Sequence, residues 1–357
     1  MSVQDRPELQ QAAQEFVDAG FGGLELRVHD EDGEWVGTAG IRQLGRSEQP
    51  PVGGQFRVGS VTKTFVSPIA LQLVAEGKLE LDSPIAGRLP RFGLDPRITM
   101  RMLLNHTSGL FNYTGEYYPD GTVVAGLPAT GKDWADNRLR GYTPDELVEF
   151  ALAKPARFEP GAEWSYSNTN YTVAALVIEA VTGRTFADEL ESRIVKPLGL
   201  TGTVEPGDRT DLPEPHSHGY FRYQGGDEWK VVDVTEQNPS LLFAAGSMLS
   251  TTQDLQVFMS ALQSGKLLPA DLLAEMRTPE PMSGPLNYGL GLFTQDLGTQ
   301  TVYHHNGSVP GGYGALMYST PDGSKTITAA ITMGDSDANI LEIFPPALER
   351  LVAKVFD

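Results

Sequence analysis

The sequence contains no cysteine, and this absence removes several kinds of chemistry at once. Disulfide bonds, a thiol nucleophile and thiolate metal sites are all excluded. Long apolar runs are absent as well, since none approaches the ~20 residues of a membrane-spanning helix. The first residues, MSVQDRPELQQAAQEFVDAG, carry acids, glutamines and a proline where a secretory signal would have an apolar segment. We therefore expect a cytoplasmic protein, with a mature form whose signal was removed as the alternative.

Basic residues are scarce relative to acidic ones. Lysine and arginine together number 27, aspartate and glutamate number 46, and the formal net charge is −19. The basic residues form no stripe, so neither nucleic acid nor an anionic membrane surface is expected as a partner. With 40% apolar residues among 357, the chain can bury a large core, and its length predicts two domains or one two-lobed unit.

Strand patterns occur near both ends of the chain, and helical patterns fill its middle. Residues 23–40 and four runs within 288–332 have strand character, whereas the middle has helical segments joined by loops rich in proline and glycine. This order predicts an α/β (α+β) fold, with a mostly antiparallel sheet built from both chain ends and flanked by helices. The expected domains are a sheet domain of residues 1–79 and 241–357 and an inserted all-helical domain of residues 80–240.

The first candidate for chemistry is FRVGSVTKTF, in which Ser60 and Lys63 lie three residues apart at the start of a predicted helix. Positions i and i+3 share one face of a helix, so the two side chains can meet. A serine hydroxyl becomes a nucleophile when a neutral amine takes its proton, and a buried lysine can be neutral. The helix start also offers free backbone N–H groups to an oxyanion. Taken alone, the pair is more often a helix-capping serine beside a solvated lysine.

Two further stretches combine polar groups in a way that suits acyl transfer. In WSYSNTNY, Tyr166 offers a phenol for proton transfer, and Asn168 offers an amide that can orient a substrate carbonyl. In YHHNGSVPGGYG, a strand pattern ends at His305, Asn306 and Gly307, and glycine lets a substrate backbone approach an edge strand. Each stretch has a plain alternative, with Tyr166 as a core aromatic residue and His305 as a surface strand residue.

The other histidines do not indicate a metal site. His216 and His218 have the spacing for one side of a strand, but no third ligand accompanies them, so surface positions are favoured. His106, in NHTSG, suits a structural turn, and His304 should point to the opposite face of its strand from His305. We expect neither a metal nor a cofactor.

In the order SVTK, YSN and HNG, the three motifs resemble the penicillin-binding-protein and serine β-lactamase superfamily. The likeness extends over nearly the whole chain, through FRVGSVTKTF, LQLVAEGKLELD, LLNHTSGL, PGAEWSYSNTNY, STTQDL and YGLGL. These stretches are similar to a subgroup of D-alanyl-D-alanine carboxypeptidases, class C β-lactamases, esterases, D-aminopeptidases and the thioesterases that cyclise nonribosomal peptides. The resemblance implies a β-lactamase/transpeptidase-like fold.

The resemblance also implies catalytic roles. Ser60 would be the nucleophile and Lys63 its partner or base. Tyr166 would carry a proton between the nucleophile and the leaving group. The sequence does not decide whether Lys63 or Tyr166 is the general base, and in coupled sites the assignment can be ill-posed.

Other matching positions would bind the substrate. Asn168 would hold the acyl amide, and His305 would replace the lysine that is usual in the third motif. The oxyanion hole would consist of the backbone N–H of the nucleophile and that of Ser308. Asn306 and Gly307 would lie beside the substrate at the edge strand.

The sequence departs from the carboxypeptidase pattern at two substrate-binding positions. After YGLGL, Phe293 stands where the carboxypeptidases have an arginine that binds the carboxylate of the leaving D-alanine. This difference favours a leaving group without a carboxylate. In NPSLLFAAG, Leu241 replaces a tryptophan, which predicts a reshaped acyl pocket.

A leaving group of this kind, together with a cytoplasmic location, favours a stand-alone penicillin-binding-protein-type thioesterase. The enzyme would take a peptide ending in a D-residue onto Ser60 and release it by cyclisation or hydrolysis. Its substrate would be a peptidyl thioester on pantetheine or on the carrier domain of a nonribosomal peptide synthetase. The alternatives are a D,D-carboxypeptidase or D-aminopeptidase, a β-lactamase-fold esterase, and a non-catalytic sensor that is acylated and held.

Overall fold

A computed structural model describes residues 5–356, with a seven-stranded sheet at its centre. The strands are β1 (Phe21–Asp30), β2 (Gly33–Gly40), β3 (Phe56–Arg57), β4 (Gly115–Tyr117), β5 (Val123–Ala125), β6 (Tyr220–Gly225), β7 (Glu228–Asp233), β8 (Leu249–Ser250), β9 (Phe293–Asp296), β10 (Thr301–His304), β11 (Gly307–Ser308), β12 (Tyr313–Ser319) and β13 (Thr326–Met333). The helices are α1 (Pro7–Ala19), α2 (Thr62–Ala75), α3 (Met100–Leu104), α4 (Gly131–Asn137), α5 (Pro144–Leu152), α6 (Asn168–Thr182), α7 (Phe186–Leu190), α8 (Lys196–Leu198), α9 (Thr252–Gln263), α10 (Ala270–Arg277) and α11 (Ile340–Phe356). Within residues 5–356, no helix combines the length and the apolar composition needed to cross a membrane.

The central sheet is antiparallel and draws its strands from both ends of the chain. Its order is β2-β1-β13-β12-β10-β9, and the short β11 also pairs with β12. Strand β1 pairs with β13 in the register Leu26↔Ala329, and β13 pairs in turn with β12 in the register Ala329↔Leu316. The predicted fold class, a mostly antiparallel sheet from both chain ends flanked by helices, is confirmed.

Helices cover both faces of the sheet. The terminal helices α1 and α11 pack on one face, which we call the outer face, around Phe16, Leu26 and Leu316. The larger core on the opposite face joins α2, α6 and α9, where the rings of Phe65 and Phe258 stack with centroids 3.6 Å apart. Helix α2 is buried on nearly every side, so polar side chains in its first turn are removed from water.

The segment 80–240 is not all-helical, which corrects the expectation from its sequence. It also contains two β-hairpins, formed by β4 with β5 and by β6 with β7. The strands of the second hairpin are mostly half-buried or exposed, so they carry no clear alternation of apolar and polar residues from which to predict them. The larger core contains side chains from both predicted domains, such as Phe65 and Ile178, and the boundaries at 79 and 241 stay a prediction.

Candidate active site

Ser60 lies in a 3₁₀ turn, Gly59–Val61, between β3 and α2. Gly59 adopts a positive φ of 52°, and a Cβ there would lie 2.6 Å from the backbone nitrogen of Ser308. A Cβ on Gly307 would overlap the carbonyl oxygen of Val58. The two glycines therefore allow the backbone of β11 to pack directly against the turn that carries Ser60. This contact brings the backbone of Ser308 beside Ser60, as an oxyanion hole made of their two N–H groups requires.

Lys63 is completely buried, and its Nζ atom contacts three oxygen atoms. Nζ lies 3.1 Å from Ser60 Oγ, 2.8 Å from Asn168 Oδ1 and 2.6 Å from the carbonyl oxygen of Ala245. The carbonyl and amide oxygens can only accept hydrogen bonds. A neutral amine has two N–H groups, and these two acceptors take both of them.

The protonation state of Lys63 follows from its burial. Removal from water lowers the pKa of Lys63 well below its usual value, and among residues 5–356 no carboxylate contacts Nζ to oppose that effect. In the neutral amine, both N–H groups point at Asn168 and Ala245, and the lone pair points at Ser60 Oγ. Lys63 is thus placed to accept the Ser60 proton.

Asn168 orients this lysine and is itself held in place. Its backbone N–H donates to Asn112 Oδ1 at 3.1 Å, and its side-chain Nδ2 donates to Thr114 Oγ1 at 3.2 Å. The amide oxygen is therefore directed at Lys63. The resemblance assigned Asn168 to the acyl amide of the substrate, and such a contact would compete with the bond to Thr114.

Tyr166 adjoins both reacting side chains. Burial raises the pKa of the Tyr166 phenol, and a hydrogen bond with the Ser60 side chain opposes that rise. Lys63 Nζ lies 4.7 Å from the centroid of the Tyr166 ring. With its pKa raised, the phenol stays protonated near neutral pH and can relay a proton without being a phenolate at rest.

His106 supports the segment that carries Tyr166 and Asn168, a contact that the sequence did not reveal. Its Nδ1 accepts a hydrogen bond from the backbone N–H of Ser167 at 3.2 Å and lies 3.0 Å from Asn170 Nδ2. The ring is fully buried with its centroid 4.3 Å from that of Tyr166, and burial keeps its pKa well below the usual value. The sequence signal was NHTSG, which predicted a structural turn beside the site but did not identify the groups that His106 contacts.

His305 lies in the site as an uncharged group. Its Nδ1 lies 2.7 Å from the carbonyl oxygen of Asn306, and its Nε2 lies 3.3 Å from the hydroxyl of Tyr288. The pKa of His305 is lowered to about 3, chiefly because the ring is buried, and the hydrogen bond with the Asn306 carbonyl oxygen opposes this effect. Unlike the lysine it replaces in the motif, His305 therefore adds no positive charge near neutral pH.

His304 and Phe293 form a stack of aromatic rings beside His305. The His304 ring lies between Tyr318, with centroids 4.4 Å apart, and Phe293, with centroids 5.2 Å apart. Tyr318 belongs to the outer-face core, so His304 faces the opposite side from His305, as strand alternation predicts. Asn306 Nδ2 donates to the Tyr318 hydroxyl at 3.0 Å.

These residues line a cleft with a volume of about 820 Å³. Of the predicted site residues, its walls include Ser60, Tyr166, Phe293, His305, Asn306, Gly307 and Ser308. The lining, which lies wholly within the described residues, contains neither lysine nor arginine, and its one acidic residue is Asp296. A second cavity of about 580 Å³ adjoins the cleft and shares Ser308 with it.

Leu241 does not reach this cleft, which corrects the expectation of a direct substrate contact. Its side chain is buried in a third core cluster together with Trp134 and Val234. It lines a small separate cavity near Val309 and Gly246.

Comparison with known proteins gives consistent matches over most of the chain. A model of the beta-lactamase family matches residues 9–339. The solved structure of a D-stereospecific amidohydrolase from Streptomyces sp. is 35% identical, with a TM-score of 0.83 over 99% of this chain and 98% of the other. D-amino acid amidase from Ochrobactrum anthropi SV3, complexed with D-phenylalanine, is 26% identical, with a TM-score of 0.81 over 98% of this chain and 99% of the other. Penicillin-binding protein PbpX of Bacillus subtilis (strain 168) is 28% identical over 82% of this chain and 66% of its own length, and other curated relatives are matched over about half of theirs.

Proposed function

The chain belongs to the beta-lactamase family of serine hydrolases, and from that premise we propose that it hydrolyses amides and esters of D-amino acids through an acyl-enzyme on Ser60. The acyl group is suggested by the D-stereospecific amidohydrolase and the D-amino acid amidase, whose likeness extends over almost the whole chain. One structural observation carries the proposal. The cleft beside Ser60, lined entirely by described residues, presents no cation to a leaving group.

In the proposed reaction, the Ser60 oxygen forms a bond to the substrate carbonyl carbon while its proton passes to Lys63 Nζ. The backbone N–H groups of Ser60 and Ser308 bind the negative carbonyl oxygen. The bond from carbon to the leaving nitrogen or oxygen then breaks, and the leaving atom takes that proton directly or through the Tyr166 phenol. Water next attacks the ester on Ser60, which regenerates the hydroxyl and releases the D-amino acid.

A leaving group with a free carboxylate would find no positive partner here. Phe293 is apolar, burial keeps the pKa of His305 at about 3, and the one acidic side chain of the lining, Asp296, would repel a carboxylate. A missing charged hydrogen bond costs on the order of 1.5–3 kcal/mol, or roughly ten- to a hundredfold in kcat/KM. Amides and esters with uncharged leaving groups should therefore react faster than peptides that end in free D-alanine.

A second candidate function is the peptidyl thioesterase or cyclase expected from the sequence. The same observation favours it, because a thioester arm also lacks a carboxylate next to the reacting carbon. A cleft of about 820 Å³ has room for several residues of a peptide. The substrate would then be a peptidyl thioester on pantetheine or on a nonribosomal peptide synthetase carrier domain, released to water or to its own amine.

Four substrates with the same phenylalanyl group test these functions. They are the D-amide, the L-amide, the D-thioester of pantetheine, and the D-phenylalanyl-D-alanine dipeptide, compared by kcat/KM. We expect the D-amide to exceed the L-amide, and to exceed the free-carboxylate dipeptide by roughly ten- to a hundredfold. Turnover of the thioester alone would favour the thioesterase, and preference for the dipeptide would restore the carboxypeptidase.

Mass spectrometry of the intact protein provides the companion measurement. During turnover, the D-amide should add one D-phenylalanyl group, and this adduct should be absent in Ser60→Ala. An adduct that forms once and is never released would instead identify an acylated sensor. An L-specific enzyme with the adduct on another residue would contradict the proposal.

A further inference from the structure

The cleft does not end at the reacting groups but continues across the edge of the sheet to its outer face. There it passes the His304 stack and reaches the first turns of α11. Apolar side chains line this extension, and we call five of them the outer shelf: Leu286, Phe293, Ile331, Leu341 and Phe344. The shelf and Ser60 line one continuous cavity, so a molecule bound at Ser60 can extend onto it.

Apolar side chains of the shelf and its rim are unusually accessible to water. Leu341 is 83% exposed and Leu286 is 49% exposed, and Ile340 at the rim is 42% exposed. Single exposed apolar residues are common on proteins, but several gathered around one cavity mark a binding surface. Their position on the reaction cleft indicates that the substrate itself covers them.

The position of Tyr166 indicates which part of the substrate enters the extension of the cleft. Ser60 and Tyr166 both line the cavity that contains the shelf, whereas the adjoining cavity at Ser308 is lined by neither. The leaving atom must take a proton from a group next to Ser60, and Tyr166 is the phenol in that position. The leaving group therefore occupies the Tyr166 side of the cleft, from which it extends past Phe293.

We propose that the outer shelf binds an apolar leaving group, such as an alkyl chain of several carbons or an aromatic ring, joined through an amide nitrogen or an ester oxygen. This inference rests on the proposed function and specifies its substrate class. The shelf offers hydrocarbon surface, and Phe293 adds an aromatic face where a carboxylate anchor is expected in carboxypeptidases. Burial of one methylene group contributes about 0.8 kcal/mol, which corresponds to about a threefold to fourfold gain in kcat/KM per carbon.

A series of D-phenylalanine N-alkyl amides, with methyl, butyl and hexyl leaving groups, tests the shelf. In the unmodified enzyme, kcat/KM should rise about threefold per methylene until the shelf is covered. Leu341→Asp places a charge on the most exposed shelf residue, and it should reduce the hexyl-to-methyl ratio at least tenfold. Leu139→Asp is the matched control, since Leu139 is an exposed leucine, at 50%, that lines neither cavity. That control should keep the ratio of the unmodified enzyme.

The possible results distinguish a failure of the shelf proposal from a failure of the proposed function. If the methyl amide reacts with D-preference but kcat/KM does not depend on chain length, the shelf proposal is wrong and the proposed function stands. An unchanged hexyl-to-methyl ratio of kcat/KM in Leu341→Asp would also contradict the shelf proposal. If none of the D-amides reacts, the proposed function itself fails. Free hexylamine gives an independent readout, because it should inhibit competitively in the unmodified enzyme and more weakly in Leu341→Asp.

Discussion

The pH dependence of kcat/KM should respond strongly to Asn168→Asp, because this change places a carboxylate beside the proposed base. Asn168 Oδ1 lies 2.8 Å from Lys63 Nζ, and aspartate has nearly the same shape as asparagine. In the native site, burial lowers the pKa of Lys63, and no carboxylate from the described part of the chain contacts Nζ. A negative charge at hydrogen-bonding distance favours the ammonium form, so the pKa of Lys63 should rise by about 1–3 units.

The sign of the effect follows from the role of the neutral amine. Below the pKa of Lys63 in the free enzyme, Nζ is protonated and cannot take the Ser60 proton, so kcat/KM should fall about tenfold per pH unit. In Asn168→Asp this acidic limb should move upward by about 1–3 pH units, while activity at high pH is largely retained. The Thr114 hydroxyl, which donates to Asn112 Oδ1, would have to turn from that acceptor to donate to the new carboxylate.

The assay is a pH profile of kcat/KM on a D-amide, with Asn137→Asp as the control. Asn137 is exposed on α4 and receives the same change of charge far from any contact with Lys63. Its acidic limb should stay within a few tenths of a unit of the unmodified enzyme, as solvent screening predicts. An acidic limb that does not move in Asn168→Asp would refute Lys63 as the base. A rate that rises only above pH 10 would indicate a Tyr166 phenolate instead.

Four further outcomes are expected. Ser60→Ala should abolish the acyl adduct in mass spectrometry while changing the free energy of unfolding by at most ~1–2 kcal/mol, and residual turnover would exclude Ser60 as nucleophile. Lys63→Ala and Tyr166→Phe should each remove most activity, and the double variant should lose little more, because the groups act as one unit. Phe293→Arg should raise kcat/KM for the free-carboxylate dipeptide by roughly ten- to a hundredfold relative to the amide, measured on the matched pair. His106→Ala, which leaves the Ser167 N–H unpaired, should destabilise the fold by ~1–3 kcal/mol and reduce kcat more than it raises KM; an equal effect on both would indicate a purely structural role.

The sequence predicted the parts of the site that lie within short motifs. Ser60 and Lys63 are one helical turn apart, so their meeting depends on α2 alone. The structure brings Asn168 of the second motif to the same amine, whereas the resemblance had assigned Asn168 to the acyl amide of the substrate. The antiparallel sheet was also predictable, because its buried strands carry continuous apolar runs and are bounded by turns.

Backbone groups and distant contacts could not be predicted in this way. The carbonyl oxygen of Ala245 takes one N–H of Lys63 across 182 positions, and a carbonyl has no residue signature. Tyr288 reaches His305 through packing of the loop before β9 against β10. The outer shelf forms only because α11 packs over the sheet. The amphipathic pattern of a helix does not specify which of its residues will border a cleft, so the shelf could not be predicted from the sequence.

The charge state of the site explains how such a buried cluster can act on neutral substrates. Burial lowers the pKa values of Lys63, His106 and His305 and raises that of Tyr166, so in each of these side chains it favours the uncharged form. In the proposed reaction, the Ser60 proton creates an ammonium on Lys63 at the same time as the carbonyl oxygen of the substrate becomes negative. The two charges appear together in surroundings of low dielectric, where their attraction is much stronger than in water. Because neither charge exists in the resting complex, this attraction stabilises the transition state without stabilising the bound substrate, which is the condition for raising kcat.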